Sequence, residues 1–370
     1  MEIVKCPLCE ENFKKEDLKT NTHYLTDGII RSALNMDGSK GRGEGFYFEI
    51  STDSPYIEAN FQQITSAEKL KRELGREVTE IEIEKSKSTI VFSVNYVFCK
   101  GCEDKFTNIE TKFQNIILPK LRKKGGLNGI SELTLENSNL IRIFFLLQIW
   151  RTNICDTIFK LPNKVSQELR HIIWEYATSE VEISKKHPLI INYLETLGED
   201  IEFTKNVVGY SNDKNPFPIW MNDFVIQFYE SKEALIYSDF YGLNSKENFQ
   251  NEVNVHEKFF KINIKSNQFR DSFNGKLHKE NVKIKLDQYK SYFKHIWNKI
   301  FKTYPSQNII NEYLGPLTFS NSNIYQIYTE ENLKNYTLKF LEYYMANHPS
   351  YSRIYHKFLS EKFDEFNKNK

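Results

Sequence analysis

Two Cys-x-x-Cys pairs, Cys6-Pro7-Leu8-Cys9 and Cys99-Lys100-Gly101-Cys102, constrain this chain more than any other feature. A tetrahedral four-thiolate site holds each pair at a tight turn and leaves the chain between the pairs free to be any length. Only one further cysteine, Cys155, occurs in 370 residues. The spacing therefore predicts that Cys6, Cys9, Cys99 and Cys102 share one structural Zn2+.

The flanking residues suggest the local form. Cys6 and Cys9 follow the short run Ile3-Val4 and precede the polar turn Glu10-Glu11-Asn12. Cys99 and Cys102 follow an apolar, strand-like run from Thr89 to Phe98 and open a helical pattern from Glu103 to Leu118. A knuckle near the chain start, tied by metal to the first turn of a later helix, has the layout of a treble-clef finger. Zinc with four thiolates is coordinatively full, so it can staple a fold but performs no Lewis-acid chemistry.

The length suits two domains, and a 40% hydrophobic, 14% aromatic composition supplies enough material for a packed core. A formal charge of +1 gives no global reason to expect nucleic acid. Cys6, Glu10 and Glu11 occupy the positions a secretory signal core would need, and the longest apolar run, Leu140 to Trp150, carries Arg142 and is too short to span a bilayer. Thiols committed to metal fit a reducing compartment, so a cytoplasmic location with no membrane association is expected.

Along the chain, an amphipathic stretch at Leu25–Leu34 precedes a glycine loop, Gly41-Arg42-Gly43-Glu44-Gly45, which lacks the ending that grips nucleotide phosphates. Phe46–Ile50, Ile81–Ile83 and Thr89–Phe98 read as strands, and Ser66–Leu74 as a short helix. Asn137–Leu161 is apolar on nearly every face and predicts a buried helix closed by Pro162. Lys164–Thr178 predicts an amphipathic one. Residues 180–215 read as polar turns. Ile219–Tyr229, Ala234–Tyr241 and Phe259–Ile264 read as antiparallel strands, and Val282–Phe301, Glu331–Asn347 and Tyr351–Asn367 as helices.

Three further segments bear on function. His23 lies in Asn21-Thr22-His23-Tyr24-Leu25, shortly after the first knuckle. Lys120, Arg122, Lys123 and Lys124 follow the zinc helix, where they either complement the helix dipole or line a nucleic-acid groove. Lysines 276–302 decorate a helix that keeps its own apolar stripe, so they read mainly as a solvated face. Arg142 and Arg151, inside the apolar helix, each require a buried partner.

The order Cys6-x-x-Cys9, Thr22-His23-Tyr24-Leu25, then Phe98-Cys99-Lys100-Gly101-Cys102-Glu103-Asp104-Lys105-Phe106 resembles zinc-stapled treble-clef bacterial proteins related to HNH endonucleases. The run Ile143 to Arg151 resembles the helix that follows in such proteins, and the likeness covers roughly the first 160 residues. It implies that His23 is the general base of a phosphodiester hydrolysis assisted by a hard divalent cation, Mg2+ or Mn2+. The family's usual Asn and later His are replaced here by Glu103 and, near the later position, Glu110. The two glutamates are about 10 Å apart along one helix, so at most one joins an ion; Glu110 is the expected ligand.

The expected fold is therefore α+β: residues 1–180 form a zinc-stapled HNH-like domain with a β-rich insertion and buried helices, and 181–370 form a C-terminal α+β domain with a small antiparallel sheet. The expected function is a metal-dependent HNH-like endonuclease acting on DNA, in the setting of bacterial defence. The alternative is a catalytically inactive zinc-stabilised adaptor whose C-terminal half binds a protein or nucleic-acid partner.

Overall fold

The computed structural model describes residues 2–34, 46–49, 58–61, 77–80, 92–122, 127, 129–195, 207–211, 213–255, 258–318 and 330–366. The glycine loop at 41–45, the helix expected at 66–74, the strand expected at 81–83, and Lys123 and Lys124 lie outside them. The fold is mixed α+β.

The N-terminal module is built from small pieces. Strands β1 (Ile3–Lys5) and β2 (Asn12–Lys14) form an antiparallel hairpin around the first cysteine pair. Strand β3 (Thr22–His23) follows and leads into helix α1 (Asp27–Leu34). Strands β4 (Phe46–Glu49) and β5 (Glu58–Phe61) come next, then β6 (Ser93–Val94), which pairs antiparallel with β3. Helix α2 (Lys100–Ile116) begins directly after Cys99, which occupies its N-cap position. It is longer at its start than the expected Glu103–Leu118 and is followed by the short α3 (Leu118–Leu121), with Pro119 in its first turn. Proline suits that place because its missing N–H would be unbonded there anyway.

After β7 (Glu132–Leu135), helix α4 (Ser138–Cys155) is buried almost throughout, as its uniform apolarity requires. It ends at Cys155, before Pro162; that proline instead precedes α5 (Asn163–Ser179). Strands β8 (Leu189–Leu194), β9 (Val207–Tyr210), β10 (Phe217–Met221), β11 (Phe224–Phe228) and β12 (Phe260–Lys265) complete a sheet of order β5-β4-β9-β10-β11-β8-β12-β7. A single turn of helix, α6 (Phe249–Glu252), lies between β11 and β12.

The central strands β8, β9, β10 and β11 are buried on both faces. Leu189, Ile191 and Tyr193 of β8 join the main core with α4, while Ile190 and Leu194 enter two smaller apolar clusters on the other side. Two-sided burial produces continuous apolar runs without alternation. That explains β8 and β9 inside the stretch expected to be polar turns. It also explains why Ile219–Tyr229, expected as one strand, is a hairpin: Met221 pairs with Phe224, and Asn222 makes the turn at φ 55°. Asn tolerates that left-handed conformation better than most residues. Among the described residues, 234–241 contains no strand; Ile236 is 69% exposed and Asp239 caps a 3-10 turn at Phe240–Gly242.

The described residues divide into two compact units; the second takes Glu58, Glu77 and Val78 together with everything from His278 onward, so the main boundary falls between Leu277 and His278, not near residue 180. The sheet sets this boundary, because β7 at 132–135 pairs with β12 at 260–265 and binds both halves of the sequence into one core. Helix α7 (Asn267–Phe301) starts in the first unit. The second unit holds the rest of α7, α8 (Gln307–Thr318), α9 (Glu330–Asn347) and α10 (Pro349–Phe366). Its interior is aromatic: Phe293 stacks on Tyr313 at 4.2 Å, and Trp297 packs against Phe301 and Tyr344.

Candidate metal centre

Two tight backbone turns set the four cysteines. Cys6 N–H donates to Glu11 O and Glu10 N–H donates to Cys6 O, each at 2.9 Å, which closes the first knuckle. Glu10 takes the left-handed conformation there, φ 63°. The second pair straddles the start of α2, so its sulfurs project from one helical turn.

All four Sγ atoms, from Cys6, Cys9, Cys99 and Cys102, lie within 4.8 Å of one another, and Cys9 Sγ is 3.9 Å from Cys99 Sγ. Tetrahedral Zn–S bonds of about 2.3 Å place sulfurs about 3.8 Å apart, so the donor set fits zinc. Three of the four are buried, and Cys9 is half-buried. Cys6 is held down to about 4 by hydrogen bonding from Cys102 and from the backbone of Cys99, Cys9 and Leu8. Cys102 is pushed well up by its bond to Cys6 and by burial. A second thiolate beside the first is unfavourable without a cation, and a dication supplies the missing charge.

The knuckle is also clamped from a distance. Arg170 of α5 donates through Nη1 to Leu8 O at 2.8 Å, and its Nη2 lies 3.2 Å from Glu10 Oε2. Leu8 itself is fully buried in the main core. Leu8 and Glu10 bracket Cys9, the most exposed ligand. The clamp was not legible in the sequence, because its acceptor is a backbone carbonyl.

His23 is half-buried on β3, with Ser93 of β6 as its register partner. Three residues later, Thr26 donates its Oγ1 to Glu110 Oε1 at 2.9 Å and its N–H to Gln148 Oε1 at 2.9 Å, tying the start of α1 to α2 and α4. Glu110 Oε1 also accepts from Arg151 Nη1 at 2.9 Å, and Arg151 Nη2 lies 3.6 Å from Glu103 Oε1. The guanidinium sits over the Phe106 ring at 4.9 Å, with a side chain only 2% exposed. Burial pushes the Glu103 carboxyl up, against the pull of Arg151.

This arrangement does not fit the divalent ion expected at Glu110. A permanently charged guanidinium already neutralises that carboxylate, and it would repel a nearby cation by roughly 4 kcal/mol per unit charge at 4 Å. The buried partner that Arg151 needed is the glutamate pair; the signal in the sequence was an arginine in an otherwise apolar helix. Arg142, its counterpart, donates to the carbonyls of His187 at 3.0 Å and Asn254 at 2.7 Å.

The basic cluster changes in the same way. Lys120 is exposed at the end of α3. Arg122 is not directed to solvent: its Nε donates to Asp223 Oδ2 at 2.7 Å and its Nη2 to Ile29 O at 3.2 Å. Asp223, fully buried in the β10–β11 turn, also accepts from Arg270 Nη1 of α7 at 2.9 Å. A buried carboxylate demands countercharge, and Arg122 is one of the two guanidinium groups that meet it. Among the described residues, no helix is long and apolar enough to cross a membrane.

Comparison with known proteins finds no matching family model, curated protein or solved structure.

Proposed function

We propose that this protein is a zinc-stapled binding module, in which the helix that resembles an HNH catalytic helix has a purely structural task. The observation that carries this reading is the 2.9 Å pair between Glu110 and Arg151, with Glu103 on the same guanidinium. Carboxylates committed to a buried arginine are poor ligands for Mg2+ or Mn2+, which need oxygen donors free to close an octahedron. The balanced overall charge and the engagement of Arg122 by Asp223 favour a protein partner over DNA.

A second reading, the DNA endonuclease with His23 as base, draws support from one feature. The β3–β6 pair carries His23 and is followed by α2, a strand–strand–helix order beside the four cysteines. In that reading any catalytic cation would take its ligands elsewhere than Glu110.

Plasmid nicking separates the two. The binding module leaves supercoiled DNA intact with Mg2+ or Mn2+ and co-purifies with a protein partner from its host. Metal-dependent nicking that vanishes in a folded His23→Ala variant overturns it in favour of the nuclease. The zinc staple is checked separately by metal analysis: one zinc per chain, lost in Cys99→Ser together with the order of the N-terminal module.

A further inference from the structure

The sheet face turned away from the main core holds polar groups whose bonding capacity the protein leaves unfilled. Asn192 of β8 and Asn263 of β12 are register partners in the parallel β8–β12 ladder. Their strand neighbours Ile191, Tyr193, Ile262 and Ile264 belong to the main core. Side chains alternate along a strand, so the two carboxamides stand side by side on the opposite face, on backbones about 4.8 Å apart.

Both are buried, Asn192 at 0% exposure and Asn263 at 5%. Among the described residues, no group makes a hydrogen bond to Asn192 Oδ1, Asn192 Nδ2 or Asn263 Nδ2. A neighbouring amide pair on the same face behaves differently: Gln227 and Asn244 bond reciprocally at 2.8 and 2.9 Å. Three unbonded amide atoms in a core would forfeit a large part of a domain's net stability. Apolar side chains flank the pair, with Ile190 in one cluster and Leu194 and Val225 in another.

The unfilled set consists of donors on two Nδ2 atoms and one acceptor, Oδ1. A ligand must accept two hydrogen bonds and donate one. An ammonium ion cannot accept, a simple anion cannot donate, and the flanking apolar side chains favour a small occupant. Water meets the pattern, and three polar partners are typical of an internal water. We propose that Asn192 and Asn263 form a binding site for one internal water, which bridges the parallel strand pair and thereby joins β12 and β7 to the hairpins of the sheet.

A crystal structure of the full chain at about 1.5 Å resolution tests this directly. The expected result is one density peak within roughly 2.7–3.2 Å of all three atoms. Carboxamides bonded to each other or to other protein groups, with no peak between them, overturn the proposal, as does density for a larger molecule. Thermal unfolding gives an independent reading. Asn192→Leu removes two of the water's three anchors and leaves Asn263 Nδ2 stranded, so its Tm falls; the double variant with Asn263→Leu regains part of the loss. A rise in Tm for Asn192→Leu alone means that the amide was dry and unbonded, and the water site is then rejected.

Discussion

Arg151 Nη1 stands 2.9 Å from Glu110 Oε1, joining helices α4 and α2 through a pair whose arginine side chain is 2% exposed. Its second nitrogen faces Glu103 one face-repeat earlier on α2. Glu103 and Glu110 are seven residues apart, two helical turns, and a guanidinium can lie between such positions. The pair therefore acts as a rivet between the helix whose start carries Cys99 and Cys102 and a helix buried almost throughout.

Replacing Arg151 by Met keeps much of its length and removes its charge. Two partly buried carboxylates then lose the guanidinium they share. Loss of one partner of such a buried group costs about 3–5 kcal/mol. Urea unfolding of Arg151→Met should show a loss of that order, and Glu110→Gln a smaller one, because Thr26 still donates to the amide oxygen. A Glu110→Gln variant as stable as the parent would mean that the rivet carries no load.

Arg170 acts on the zinc site without touching a sulfur. Its bonds to Leu8 O and Glu10 fix the knuckle on either side of Cys9. Outer-shell partners of metal ligands typically contribute 10- to 100-fold in affinity. Because Glu10 is half-exposed, the lower end applies, and competition with a chromophoric chelator should show Arg170→Ala binding zinc about 10-fold more weakly. Far-UV circular dichroism of the zinc-loaded variant should match the parent, and Arg170→Lys should recover part of the affinity.

The cysteine cluster was legible in the sequence because metal chemistry dictates its spacing whatever lies between. Helices α4 and α5 were legible for a similar reason: all-round apolarity and a clean amphipathic repeat each have one structural outcome. Strands β8 and β9 were not, since a strand covered on both faces loses its alternation, and the polar residues around 180–187 and 195–206 masked the apolar runs between them. Helix α8 lies in a stretch for which the sequence offers no expectation, and it continues through Pro316. The partners of Glu110 and Arg122 lie 41 and 101 residues away, and no local pattern marks such pairs.

Asp223 makes the second buried ionic knot. It is fully buried, with Arg122 and Arg270 on its two oxygens. Asp223→Asn preserves shape but removes the carboxylate that Arg122 and Arg270 share, leaving both guanidinium groups facing a neutral amide. The expected loss is again about 3–5 kcal/mol, read as a lower urea midpoint at unchanged slope. Asp223→Asn should retain zinc, which distinguishes this knot from the metal staple; zinc loss in the folded variant would show that the two are coupled.

His187 gives the fold a dependence on acid. It is 1% exposed, its Nδ1 lies 2.8 Å from Glu230 O, and burial pulls its pKa below the ordinary histidine value despite Glu168 nearby. In the unfolded chain the same imidazole titrates near 6.5. Above that pH both states hold it neutral, and it makes no pH-dependent contribution. As pH falls below about 6.5 the unfolded state takes up the proton first, so stability declines until the pH reaches the lowered value in the fold. Over that window the slope approaches about 1.4 kcal/mol per pH unit. Urea midpoints measured from pH 7.5 down to 5.5 should fall more steeply for the parent than for His187→Asn. Thiolate protonation at the zinc site is common to both proteins, so the difference between the two slopes isolates His187, and parallel slopes would show that its protonation is not what acid acts upon.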